Sequence, residues 1–262
     1  YSYNAADQLT YAGKRKYWYS NTGLLNQEAL GTVIATYNNY KSGLVSQVYS
    51  PVPGFIGSNA DGSAGAKYAY DALGRMSSNY GINETKGAIA GSKRKYSYEG
   101  LGFDAARVFK EAAAGSWQLS EEYARDDGGL VSKRNHQTGG KQYYGQDVLG
   151  STVLVTDPAG SVQKHYAYDA FGTNYGDEAG GEEYLYTGKP VDPRTGLAHY
   201  GYRNYRSDLG RFTTPDPVRD GDNWYAYCSS DPVNYVDRLG LEGENANAQD
   251  EQAKKAELEK IQ

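Results

Sequence analysis

The sequence predicts an all-β protein: hairpins that run into one long, curling antiparallel sheet, closed by a different C-terminal segment and followed by a short helix. Three observations carry this. Of 262 residues, 27 are Tyr and 33 are Gly, against five Phe, three Trp and one Met. Tyr suits a pleated, half-buried surface, and Gly permits the positive φ that tight turns demand. A short unit recurs along the chain: two tyrosines one residue apart, an acidic or Asn turn, a Gly, and a returning strand. From Tyr184 to Leu241 the pattern gives way to a denser mixture of aromatics, Gly and Asp-Pro pairs, which stops at a sharp change of composition.

The clearest unit is Tyr68-Ala69-Tyr70-Asp71-Ala72-Leu73-Gly74, nearly duplicated at Tyr166-Ala167-Tyr168-Asp169-Ala170-Phe171-Gly172. Looser copies begin at Tyr1, Tyr17, Tyr96 and Tyr123. Strand side chains alternate with period two, so the paired tyrosines share a face. Asp caps the following turn and Gly takes its left-handed position. No unit can bury its own face, and the uneven spacing, roughly 15 to 30 residues, points to one curling sheet rather than equal propeller blades.

Two stretches break the pattern. Residues 54–65 are rich in Gly, Ser and Asn and read as an exposed loop. The run from Phe103 to Ala114 allows a short helix or a strand with an Ala-rich edge; the even spacing of Phe103 and Phe109 favours the strand. Beyond Leu241 the chain lacks aromatics, and Gln249–Ile261 has the composition of a solvated helix. The divisions are therefore 1–183, a repeat wall; 184–241, a closing core; and 242–262, a linker or the start of a further module.

Net charge is −5 with an isoelectric point near 5.3, an acidic balance that argues against nucleic acid as the main partner. The clusters Lys14-Arg15-Lys16 and Lys93-Arg94-Lys95 read as solvated strand ends. Mean hydropathy is −0.76, and no apolar run approaches the roughly 18 residues of a membrane span. One Cys and three His argue against a metal site, and no cofactor is expected. Cys228 reads as a small buried hydrophobe and His136 as an exposed turn residue. The chain opens without an initiator Met or signal peptide, directly on a repeat-like stretch, so a piece of a longer protein is expected.

The Tyr-x-Tyr-Asp-x-x-Gly units resemble the YD repeats of the RHS superfamily, and Tyr184–Leu241 resembles the RHS-associated core that ends them. The matching blocks are Tyr186-Thr187-Gly188-Lys189, Asp192-Pro193-x-Thr195-Gly196-Leu197, Tyr200-x-x-Arg203-x-Tyr205, Leu209-Gly210-Arg211-Phe212, Pro215-Asp216-Pro217 and Asp231-Pro232-Val233-Asn234-Tyr235-Val236-Asp237. The resemblance implies a sheet spiralling into a hollow shell around a C-terminal toxic polypeptide, with an inward-turning core as plug. It implies further shell repeats upstream, a delivery machinery, and a secreted or cell-surface effector of bacterial type.

In bacterial members the core is an aspartyl autoprotease that cuts after a D-P-x-G-L motif. Carried over by motif, the carboxylate pair is Asp216 and Asp237, Arg211 orients them, and the scissile bond is Leu241–Glu242, where the composition changes. Two such carboxylates divide the work: one takes a proton from water while the other, kept neutral, donates one. The motif here reads Asp237-Arg238-Leu239-Gly240-Leu241, with Arg238 in place of the family's proline and Arg219 in place of a glycine. The alternatives are a non-enzymatic, teneurin-like surface or adhesion module, in which the two aspartates only hold turns, and carbohydrate binding by exposed Tyr. Taken alone, most Asp-Pro pairs are only turn openers.

Overall fold

The computed structural model describes residues 1–52, 55, 62–113, 115–176, 182–219 and 221–245. Most of the expected loop at 54–65 and all of the expected helix at 249–261 lie outside the described residues. Within them, fifteen strands form one sheet in strict sequence order, each antiparallel to the next. They begin with β1 (Ser2–Tyr3), β2 (Leu9–Ala12), β3 (Arg15–Tyr19), β4 (Leu25–Leu30) and β5 (Val33–Asn39). Next come β6 (Val45–Tyr49), β7 (Gly65–Tyr70), β8 (Met76–Ile82), β9 (Arg94–Tyr98) and β10 (Ala105–Ala113). The row ends with β11 (Ser116–Asp126), β12 (Gly129–Asn135), β13 (Lys141–Gln146), β14 (Thr152–Thr156) and β15 (Val162–His165). The strand expected within 103–114 is β10, with Phe109 inside it. Phe103 stands before the strand and packs its ring 5.4 Å from Tyr202.

The repeated unit is a hairpin with a carboxylate-capped turn. Asp71 Oδ1 accepts the backbone N–H groups of Leu73 (2.9 Å) and Arg75 (3.0 Å), and Gly74 takes φ +83°. Asp147, Asp157 and Asp169 cap their turns the same way, two and four residues on. Bulges next to the turns, as at Trp18/Tyr19, Asn38/Asn39 and Ala69/Tyr70, bend the strands. Curling follows. A flat sheet of fifteen strands would span roughly 70 Å, yet the same C-terminal segment bonds to Gln8 beside β2 and to Thr152 in β14. The sheet is not closed: β1 and β15 are its two ends.

That segment contains a second antiparallel meander, β16 (Val191–Asp192), β17 (Leu197–His199), β18 (Asn204–Arg206) and β19 (Arg211–Phe212). A two-stranded ribbon follows, β20 (Tyr235–Asp237) with β21 (Gly243–Asn245). Just past Leu241, Gly243–Asn245 thus pair back onto β20. Its aromatic core is Tyr186, Tyr200, Tyr205, Phe212 and Tyr227 with Cys228, the last buried as expected.

Polar bonds seat this plug on the wall. Arg206 Nη1 donates to Tyr37 Oη (2.7 Å) and lies 3.3 Å from Glu28, a fully buried carboxylate on β4. Tyr68 Oη donates to Asp192 (2.9 Å), and Val45 N–H to Asn204 Oδ1 (2.9 Å). In the basic clusters Lys14 and Lys95 are exposed as expected, but the two arginines are not. Arg94 is no solvated strand end: its guanidinium pairs with Glu121 (2.8 Å) and Glu183 (2.7 Å), tying β9 and β11 to the start of the plug. Arg15, 3.5 Å from Glu28, is likewise half-buried.

Candidate active site

Asp216 follows β19, and Asp237 ends β20. Each begins a turn of the same kind as the wall repeats. Asp216 Oδ1 accepts Val218 N–H (2.9 Å), and Asp237 Oδ1 accepts those of Leu239 (3.2 Å), Gly240 (2.6 Å) and Leu241 (3.1 Å). Gly240, at φ +73°, occupies the left-handed place; a Cβ there would stand 3.0 Å from Arg203 N and 3.1 Å from Tyr200 O. This accounts physically for the Gly of the motif. The equivalent place after Asp216 is Arg219, which adopts φ +57° although it is not Gly.

With their Oδ1 atoms occupied in the turns, the two carboxylates aim Oδ2 at one cation. Arg203 Nη2 lies 3.3 Å from Asp216 Oδ2 and 3.2 Å from Asp237 Oδ2. All three side chains are at most 5% exposed. Two further donors of Arg203 bond backbone: Nε to Gly240 O (2.6 Å) and Nη1 to Trp224 O (3.1 Å). The Phe212 ring supports the guanidinium from 3.7 Å. Arg203 is thus held from several sides, bonded to Asp237 and ion-paired with Asp216.

Arg211, the orienting residue expected from the motif, is elsewhere. Its guanidinium sits between the rings of Tyr3 (5.1 Å) and Tyr225 (5.2 Å) and donates to Asp7 O (2.7 Å). Consecutive residues on a strand face opposite ways, so Phe212 points inward at Arg203 while Arg211 points toward the wall. Arg203 itself stands in the motif block Tyr200-x-x-Arg203-x-Tyr205, where spacing gave no sign of its partner. Arg238 turns away from the carboxylates toward Glu244 (3.4 Å), and Leu239 accepts Tyr202 N–H through its carbonyl (3.0 Å).

A cavity of about 360 Å³ opens onto this pair, lined among others by Asp216, Asp237, Arg203, Leu241 and Glu242. The expected scissile bond therefore borders the same space as both carboxylates. Burial pushes the Asp237 carboxyl above the usual carboxylate range, with Arg203 and the turn N–H groups opposing. Cys228 also lines the cavity, but burial pushes its thiol up to about 12, leaving it protonated and a poor nucleophile. His199 is held at about 4 by burial and is neutral; it packs against Tyr68 and bonds Asn204. His136 is exposed, as expected. Among the described residues, no group of three or more His, Cys, Asp or Glu is placed to hold a metal ion, and no helix is long and apolar enough to cross a membrane.

Comparison with known proteins agrees with this architecture. A WapA nuclease of Bacillus spizizenii specific for tRNA3(Ser) is 31% identical over 185 residues, which is 67% of this chain and 7% of the relative. Mouse teneurin-3 is 28% identical over 216 residues, 82% of the chain and 7% of the relative. The chain thus spans about 7% of the length of these relatives. In fold it resembles the Tc holotoxin pore of Photorhabdus luminescens, with a TM-score of 0.59 at 17% identity, over 88% of this chain and 13% of that one. The family model of the teneurin YD-shell matches residues 1–232. With its capped-turn hairpins, single curling sheet and seated plug, the chain belongs to the YD-shell family of RHS/YD-repeat proteins.

Proposed function

We propose that this chain is the closing part of an encapsulating toxin shell, and that its plug cuts the Leu241–Glu242 bond by an aspartyl mechanism, separating a downstream toxin from the shell. The observation that carries the reading is the shared cavity: two buried carboxylates on one guanidinium, with the two residues of the expected scissile bond in the same lining. In this scheme Asp237, whose carboxyl burial raises, holds the proton and donates it toward the scissile amide; Asp216 takes a proton from a water entering the cavity. Arg203 holds the pair in register and offsets their charge. Arg238 takes the family proline's place and loses only the φ restraint, since the Asp237 turn closes around it. The relatives' names, a tRNA nuclease and a Tc toxin, support a delivered toxin as the enclosed partner, with upstream shell repeats completing the wall.

A second reading has its own observation. Asp216 and Asp237 cap turns just as Asp71 and Asp169 do in the wall, and the match to teneurin-3 covers 82% of the chain. In that reading the chain is a non-enzymatic, teneurin-like shell. Intact mass of the freshly expressed chain separates the two. Self-cleavage gives fragments ending at Leu241 and beginning at Glu242, and Asp216→Asn and Asp237→Asn stay whole. A wild-type chain that also stays whole leaves the shell without its protease.

A further inference from the structure

The plug reaches the first strands of the wall through two residues, each the chain neighbour of one that builds the site. Tyr225 Oη donates to Gly23 O (2.7 Å) in the turn between β3 and β4, and accepts from Gln8 Nε2 (3.2 Å) beside β2. Arg211 donates to Asp7 O and lies between the rings of Tyr3 and Tyr225. Next to Tyr225 is Trp224, whose carbonyl accepts Arg203 Nη1 (3.1 Å) and Asp216 N–H (2.8 Å). Next to Arg211 is Phe212, whose ring supports the Arg203 guanidinium and whose N–H bonds Tyr225 O (3.0 Å). Two wall turns therefore hold Tyr225 and Arg211, and their neighbours hold Arg203 and Asp216. The wall side fits tightly: a Cβ on Gly23 would stand 2.6 Å from Tyr225 Oη.

We propose that Arg211 and Tyr225 are positioning residues that make self-cleavage conditional on the plug being seated against the first strands of the wall; this rests on the self-cleavage reading above. Neither touches the scissile bond or the carboxylates. With the wall side loosened, Trp224 O and Phe212 no longer fix Arg203, and its Nη2 no longer meets both carboxylates. A misplacement on the order of 1 Å at a reacting centre costs up to about 100-fold in rate.

The test is self-cleavage of the 262-residue chain, followed by intact mass between pH 4 and 8, for wild type, Tyr225→Phe and Arg211→Lys. Tyr225→Phe removes one hydroxyl and keeps the ring; Arg211→Lys keeps the charge and loses the fork. The titratable and charged groups at the site are Asp216, Asp237, Arg203, Cys228, Asp222 and Glu242. Both variants should cut about 10-fold to 100-fold more slowly. The acid limb of their rate profiles should also move to higher pH, because a carboxylate that loses its guanidinium is easier to protonate. Either variant cutting at the wild-type rate overturns the proposal, as does slower cutting with an unmoved profile, which is general loosening. A wild-type chain that never cuts defeats the self-cleavage reading itself, a different and separately visible result.

Discussion

Asp216 and Asp237, 21 residues apart in the chain, present their Oδ2 atoms to the same nitrogen of Arg203, at 3.3 and 3.2 Å. Removing that nitrogen differs from removing either carboxylate. Arg203→Ala leaves the buried carboxyl pair, and the negative charge it carries, without a cation, a change that costs about 3–5 kcal/mol. Asp216→Asn keeps a cap for the Val218 N–H and the volume, and should cost about 1–2 kcal/mol. Both should abolish cleavage. Urea unfolding beside intact mass distinguishes them: equal stability losses would show that Arg203 does not neutralise the pair.

Asp237 also sets a pH dependence. Its folded carboxyl titrates above the unfolded one, so the folded state holds the proton more tightly and stability falls as pH rises from about 4 through the raised value. Asp237→Asn cannot titrate. The stability difference, wild type minus Asp237→Asn, should therefore decrease from pH 4 to pH 7, by about 1.4 kcal/mol for every tenfold by which folding tightens the carboxyl's hold on its proton. A difference that stays flat would place the Asp237 carboxyl in its ordinary range.

Asp192 and Glu182 behave oppositely. Asp192 is buried, and Arg194 beside it holds its carboxyl low; Lys133 does the same for Glu182. Depressed carboxyls stabilise the fold above the unfolded value and lose that contribution as pH falls through the folded one. Unfolding midpoints measured from pH 5 down to pH 2 should fall steadily, and Asp192→Asn should flatten the part due to that residue. An unchanged slope in the variant would contradict the assignment.

Arg219 carries left-handed backbone that the wall turns give to Gly. Relieving it with Arg219→Gly gains about 1–2 kcal/mol. The cation–π contact with Trp224, 4.9 Å away, is lost at about 0.5–1 kcal/mol. Gly also adds freedom to the unfolded chain, at about 0.4–1 kcal/mol, so a net rise in stability of up to about 1 kcal/mol is expected in thermal or urea unfolding, with self-cleavage unimpaired; a drop would show that the ring contact and the unfolded chain's freedom outweigh the strain.

The wall is legible in the sequence because its signals are local. Asp71 and Gly74 lie three residues apart, and the turn they form needs nothing beyond itself. The plug is legible only through its motif blocks, and those blocks do not say which way a side chain points. Arg203 and Arg211 both stand in such blocks; only the two-sidedness of β19, turning Phe212 toward one and Arg211 toward the wall, decides their roles. Arg94 hides its role for the same reason: its partners Glu121 and Glu183 lie 27 and 89 residues on, and nothing in a local window announces them.

A sheet whose strands pair strictly in sequence order can form hairpin by hairpin while the chain is still being made, each new strand finding its partner already in place. The plug cannot. Its bonds to Asp7, Gln8 and Gly23 join residues 204, 217 and 202 positions apart, so they close among the largest loops in the molecule. Order of synthesis then becomes order of assembly, and the bonds around Arg203 are completed only when the plug, made last, meets the first strands of the wall. The topology acts as a clock, with the cutting site as its final tick.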